Sequence, residues 1–275
     1  MGGDPGGKER RRPQRGGSFR DLRSADSEHR GHRYRIDLEK PIDLSLPLHN
    51  GEQQVRAWYV DPVRMEPVLW KGAPCTVKDG APTNFRNVIF NPHGHGTHTE
   101  SVGHIDPDIT PIGPMLDRYF FVASLISVRP EERRAADGKL DRVITLALLR
   151  ELIGDRAPEA LVIRTLPNDA AKRERDWSHT DPPYLGASAA TWLRSIGVQH
   201  LLLDLPSVDR EEDDGALAAH HAFWDHPKSH DRKRTISELL FIPDEVRDGP
   251  YLLELQVPNF MNDAAPSRPV LYALL

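Results

Sequence analysis

Four of the thirteen histidines, and one carboxylate, fall in Asn91-Pro-His-Gly-His-Gly-Thr-His-Thr-Glu-Ser-Val-Gly-His104. Neutral imidazole and carboxylate are the nitrogen and oxygen donors that suit Zn²⁺ or Mn²⁺. A thiolate-rich structural zinc or iron–sulfur site is excluded here, because the run contains no cysteine. If the chain after Gly96 is extended, His98 and Glu100 lie two residues apart, project to one face and can reach one cation. His104 can join them after a bend at Gly103, and Gly94 and Gly96 let the backbone turn sharply and approach a ligand closely. The alternative for such a run is a histidine-rich surface loop. It is not an expression tag, since it is internal and interleaved with Thr97, Glu100 and Val102.

Alternating strands and helices must hold these residues. Arg86–Phe90 reads as a short strand that delivers the histidine run at its end. The apolar run Arg118–Val128 reads as a central strand, Asp141–Ile153 as a helix stopped by Gly154, and Ala160–Thr165 as a further strand. Gly186–Ile196 is expected to be a helix ending at Gly197, followed by a strand over His200–Leu205. Asp214–Trp224 has helical propensity, and strands follow over Ser237–Ile242 and Tyr251–Val257. There is no internal repeat. This order gives a mixed α/β domain.

With 275 residues the chain can bury a substantial single core. Its net charge of −5 offers no long-range attraction for nucleic acid or anionic membrane, so the expected partner is a small molecule. Cys75 is the only cysteine, which excludes an intramolecular disulfide and agrees with a reducing cytoplasm. No apolar run approaches the roughly twenty residues that span a bilayer, and no signal segment opens the chain, so a soluble cytoplasmic protein is expected. Residues 1–34 are rich in Gly, Arg and Ser and poor in large apolar residues. They read as a disordered or loosely docked basic arm whose arginines are diluted by Asp4, Glu9, Asp21, Asp26 and Glu28, leaving 35–275 as the folded domain.

His98-Thr-Glu100 and His104, preceded by Gly96-Thr97, resemble the His-x-Gly-Thr-His-x-Asp-x-x-x-His signature of the metal-dependent cyclase superfamily, which includes bacterial kynurenine formamidase and isatin hydrolase. Glu100 stands at the Asp of that pattern. The first His falls on Gly94, with His93 and His95 on either side as alternative ligands. Pro183–Asp209 is similar to the family's second block, a helix of small and apolar residues, a Gly turn and a strand ending in Ser-Val-Asp. The family then carries a His and, further on, a Glu within a strand, which land on His220 and Glu238. The interval between them is lengthened here by the polar segment 225–235, and Ile42–Leu48 resembles the family's opening strand.

The resemblance covers roughly residues 40–275 and implies a swivelling β/β/α fold and a hydrolase of amide-like C–N bonds. It implies metal ligands at His98, Glu100 and His104, with His93 or His95 completing the set. His220 and Glu238 would ligate a second cation or shuttle protons. One or two ions of zinc or manganese fit this donor set, and a homodimer or higher homo-oligomer is implied by analogy. Rival readings are hydrolysis of a lactone or other cyclic ester, and a metal- or ligand-binding member without catalysis.

Further residues carry weaker expectations. Trp177, His179 and Tyr184, in a Pro-rich loop, either wall a substrate pocket or form a packed connection. His221 is expected to be structural or on the surface, and His226 and His230 to face solvent. Asp204 and Asp209 either orient histidine ligands or bond local turn backbone.

Overall fold

Ala160–Thr165 and His200–Leu203 are buried along their whole length, as strands covered on both faces must be. The computed structural model, which describes residues 24–29, 32–135, 137–154, 156–229 and 231–275, places both at the centre of a nine-stranded sheet. Its strands, in chain order, are β1 (Ile42–Asp43), β2 (His98–Glu100), β3 (Phe120–Val128), β4 (Ala160–Thr165), β5 (His200–Leu203), β6 (Thr235–Glu238), β7 (Gly249–Glu254), β8 (Ala264–Pro266) and β9 (Val270–Ala273). The spatial order is β8-β2-β6-β5-β4-β3-β7-β9-β1. The central four strands β6, β5, β4 and β3 are mutually parallel, and antiparallel strands complete both sides.

Three helices, α1 (Leu146–Ile153), α2 (Ala187–Ser195) and α3 (Ala218–Trp224), cover one face. Leu149, Ile153, Ala189, Leu193, Phe223 and Trp224 pack there with Ile126, Leu161, Ile163, Leu201 and Leu203. The alternate residues Leu125, Val162 and Leu202 point into a second apolar core with Leu44, Phe121, Leu240, Leu253 and Leu271. Period-two alternation thus splits each central strand between two cores, a mixed α/β arrangement with α1, α2 and α3 on one side.

Several elements start elsewhere than their composition suggests. The expected helix Asp141–Ile153 divides, with Leu140–Ile144 pairing antiparallel to Glu131–Arg134 before Thr145 caps α1 by accepting from the Leu148 amide at 3.3 Å. β-branched Val143 and Ile144 fill a strand, and the capping hydroxyl sets the true helix start. Helix α3 begins at Ala218 rather than Asp214, because Asp214 and Leu217 both adopt positive φ. Arg86–Ile89 is a strand, but it pairs with Arg64–Pro67 in a separate exposed ribbon outside the main sheet. Strand β6 begins at Thr235 and ends at Glu238, short of the expected Ile242: Leu239 turns the chain through φ +55° while its amide bonds the Leu205 carbonyl at 2.8 Å.

Of the proposed N-terminal arm, residues 1–23, 30 and 31 lie outside the described residues. Ser24–His29 pairs antiparallel with His32–Asp37, and the Arg35 carbonyl accepts from the Leu275 amide at 2.7 Å.

Candidate metal centre

The antiparallel register of β2 on β6 sets Glu238 opposite His98 and Ile236 opposite Glu100. His98 and Glu100 share one face, as their spacing requires, and the intervening Thr99 bonds Ser237 through their hydroxyls at 2.7 Å on the other. Gly96 precedes this strand at φ +65°, and a Cβ there would meet the Leu48 side chain at 2.7 Å. Thr97 then anchors the strand start by donating to the Leu239 carbonyl at 2.6 Å.

Buried at the end of β2 and β6, the His98 Nε2 atom has no hydrogen-bond partner. It faces Glu238 Oε2 at 3.4 Å, while Glu238 Oε1 accepts from the Val208 amide at 2.9 Å. One atom each from His98, Glu100 and Glu238 lie within 4.8 Å of one another, and so do atoms of His93, Glu100 and His104. The sequence-predicted residues His93, His98, Glu100, His104, His220 and Glu238 therefore come together, with Glu100 common to both groups. An orphaned imidazole nitrogen among carboxylates is costly when buried without a partner, and a divalent cation accepted by nitrogen and oxygen donors satisfies it. The donor set fits a metal.

His95 is directed elsewhere. Its Nδ1 accepts from the Asn91 amide and its Nε2 bonds the Asp61 carbonyl, each at 2.8 Å, so both ring nitrogens are occupied by backbone. His93 instead reaches the cluster, with Nδ1 at 3.0 Å from Glu100 Oε2 and Nε2 at 2.7 Å from Asp263 Oδ2. The Asn91 side chain accepts from the amides of His93 and Gly94 and fixes this turn. No side chain fits at position 94: a Cβ would lie 2.8 Å from a Val60 methyl and 3.1 Å from the Ala57 carbonyl oxygen.

His220, in the first turn of α3, bridges two carboxylates. Its Nδ1 bonds Asp209 at 2.6 Å and its Nε2 bonds Glu100 Oε1 at 3.1 Å. Asp209 also accepts from the amides of Ala219 and His220 at the start of α3, so it orients a histidine and bonds helix backbone ten and eleven residues on rather than its own local turn. Asp204 does something different, pairing in the core with Lys172 at 2.8 Å and with Thr165.

Electrostatics follow from this packing. Burial disfavours the imidazolium of His220, but bonds to Asp209 and Glu100 outweigh it and push the pKa up to about 10. Burial opposes His93 in the same way and is outweighed by Asp263 and Glu100, again up to about 10. Glu100 is fully buried, which would raise it, yet His104, His220 and His93 hold it well below the usual carboxylate range. Imidazoles and carboxylates in this cluster thus favour each other's charged forms.

A cavity of about 360 Å³ opens over the cluster, lined among others by Trp58, Asn91, His104, Arg210 and Leu217. Trp58 is part of that lining. Trp177 and Tyr184 are not: Trp177 is buried in the core under Arg175, and the Tyr184 hydroxyl donates to Asp141. His179 packs on the Tyr59 ring, centroids 4.6 Å apart. No described residue of 225–235 lines the cavity. His226 turns inward to within 3.2 Å of the Asp106 carboxylate rather than into solvent, with His221 beside it; His230 lies outside the described residues. Sequence reasoning missed Asp263, which sits in a polar turn with no motif of its own.

Residues 42–210 match the profile of the Cyclase family. The chain belongs to the Cyclase family. Among curated relatives of this chain, kynurenine formamidase of Bacillus cytotoxicus is 28% identical over 236 residues, 85% of this chain and 97% of that protein. An isatin hydrolase bound to the product analogue thioisatinate superposes with TM-score 0.60 at 17% identity, covering 86% of this chain and 93% of its own. Isatin hydrolase A of Ralstonia solanacearum gives TM-score 0.59 at 16% identity over 85% and 92% of the two chains. These structural likenesses establish the fold, in agreement with the cyclase architecture anticipated above.

Proposed function

We propose that this protein is a metal-dependent hydrolase of amide-like C–N bonds in small aromatic N-formyl or cyclic amide substrates. The observation that carries the proposal is the unpartnered, buried Nε2 of His98 facing Glu238 and Glu100 beneath an open cavity. His98, Glu100 and His104, with His93 rather than His95, would hold the cation, and Glu238 and His220 complete a set able to hold one or two ions of zinc or manganese. When bound, such a cation lowers the pKa of water and polarises a carbonyl. The chain's own residues do the rest. Asp209 holds the His220 ring so that Nε2 faces the reacting centre, where it can carry a proton to the leaving nitrogen. Glu238, anchored by the Val208 amide, keeps its second oxygen turned to the site. Trp58 offers an aromatic wall for a flat substrate.

The relatives named for kynurenine formamidase and isatin hydrolase support the substrate class. A folded domain over 35–275, a cytoplasmic location supported by the single free Cys75, and a homo-oligomeric state belong to the same reading; among the described residues no helix is long and apolar enough to cross a membrane. The test is elemental analysis of the purified protein, then assays on N-formyl aromatic amines, isatin-like lactams and lactones. The expected result is bound divalent metal and turnover of an amide. Metal without turnover of any of them would point to a binding protein, and preference for lactones to an esterase.

A further inference from the structure

Within this chain the ligand expected at position 94 is supplied from one residue earlier, and that shift needs an explanation. A Cβ at Gly94 would collide with the Val60 side chain and the Ala57 carbonyl, and the Gly94 carbonyl accepts from the Ala57 amide at 2.9 Å. The imidazole of His93 therefore enters the cluster from a different point of the backbone. A histidine that ligates through one nitrogen is held in place by an acceptor at the other, which fixes its tautomer and its orientation.

We propose that Asp263 is the positioning residue that fixes His93, and with it His104, for metal binding; this rests on the metal-dependent reading above. One carboxylate oxygen serves both rings. Asp263 Oδ2 lies 2.7 Å from His93 Nε2 and 3.5 Å from His104 Nδ1. The rings stack with centroids 4.1 Å apart and planes at 29°. Their opposite nitrogens, His93 Nδ1 and His104 Nε2, are thereby left facing Glu100 Oε2 at 3.0 and 3.9 Å. The carboxylate is itself well placed, because the Asp263 carbonyl accepts from the Ser101 amide at 2.9 Å and the next residue, Ala264, pairs with Glu100 in β8. Changing the side chain leaves those backbone bonds intact. Asp263 thus selects which nitrogen of each ring is offered to the metal.

The experiment uses the full chain, stripped of metal and titrated with Co²⁺ in competition with a chelator, with the visible absorption of bound Co²⁺ as a second readout. Asp263→Asn and Asp263→Ala are expected to weaken Co²⁺ binding about 10- to 100-fold and to alter the absorption band, while unfolding temperature stays close to that of the parent. Asp263→Glu should recover part of the affinity. In a His93→Ala background, Asp263→Asn should cost much less than it does alone, because the two residues act as a unit. Co²⁺ affinity within twofold of the parent for Asp263→Asn overturns the proposal, as does a loss fully additive with His93→Ala. The underlying metal reading is checked separately by His98→Ala: if that variant binds Co²⁺ like the parent, the metal site itself is misassigned and the role of Asp263 falls with it.

Discussion

Two buried histidines at opposite ends of the same pair of strands behave in opposite ways. His200 opens β5 and bonds Thr235, which opens β6, through Nδ1 at 2.9 Å. Burial, with Arg118 nearby, lowers its pKa to about 3, and the ring packs neutral against Phe121 at a centroid distance of 4.0 Å. His220 meets the other end of these strands, beside Glu100 and near Glu238, and is pushed up to about 10. Both side chains are nearly inaccessible, with residue exposures of 4% and 2%, so burial does not decide the charge. The carboxylates within hydrogen-bond reach do. A hydroxyl and an arginine leave one histidine neutral; two carboxylates charge the other.

The comparison can be broken most severely at the histidines of β2 and the turn after it. His98→Ala or His104→Ala should reduce metal content toward zero and hydrolysis toward background while the fold persists, measured by elemental analysis, turnover and circular dichroism. Retention of metal and activity by either variant would mean that the chemical end lies elsewhere. Next in size, His220→Ala should lower turnover about 10²- to 10⁴-fold, the usual contribution of a general acid or base. The matched change His200→Asn should leave turnover within a few-fold, and equal losses for the two would erase the distinction. Smaller again, Asp209→Asn should cost roughly 10-fold or more in turnover by freeing the His220 ring, and about 1 kcal/mol of stability through the amides it accepts at the start of α3.

A further difference between the two histidines is read by pH. The folded pKa of His200, about 3, lies below its ordinary 6.5, so the unfolded chain binds more protons between these values. Its contribution to stability is therefore complete above pH 6.5 and is lost as pH falls through that window. Between pH 7 and 5 the loss is about 2 kcal/mol. Denaturant unfolding of the parent and of His200→Asn across that range should show the parent falling more steeply by this amount. Parallel curves would place His200 in contact with solvent.

Much of the cluster was legible because it obeys local rules. His98 and Glu100 share a face by strand periodicity, and the family pattern pointed to His220 and Glu238; the β2–β6 register sets Glu238 beside His98, and Asp209 holds His220 on α3 against Glu100. Local spacing could not choose between His93 and His95, since both flank Gly94; the choice lies in which ring finds free backbone partners, and Asn91 and Asp61 take His95. Asp263 was illegible for a related reason, as an isolated carboxylate whose position comes from the pairing of β8 with β2. The helix expected from Asp141 shows the complementary limit. Apolar residues at helical spacing also fit a strand that ends in a cap, and pairing with Glu131–Arg134 decides the matter.

The closed space around Gly94 has a practical side for anyone who would redesign this protein toward its relatives. Restoring the consensus letter there would drive a side chain into Val60 and the Ala57 carbonyl, displacing the turn that presents the working ring. The imidazole of the neighbouring His93 stands beside Glu100, so a change at position 94 would disturb a ring that begins one residue earlier in the backbone.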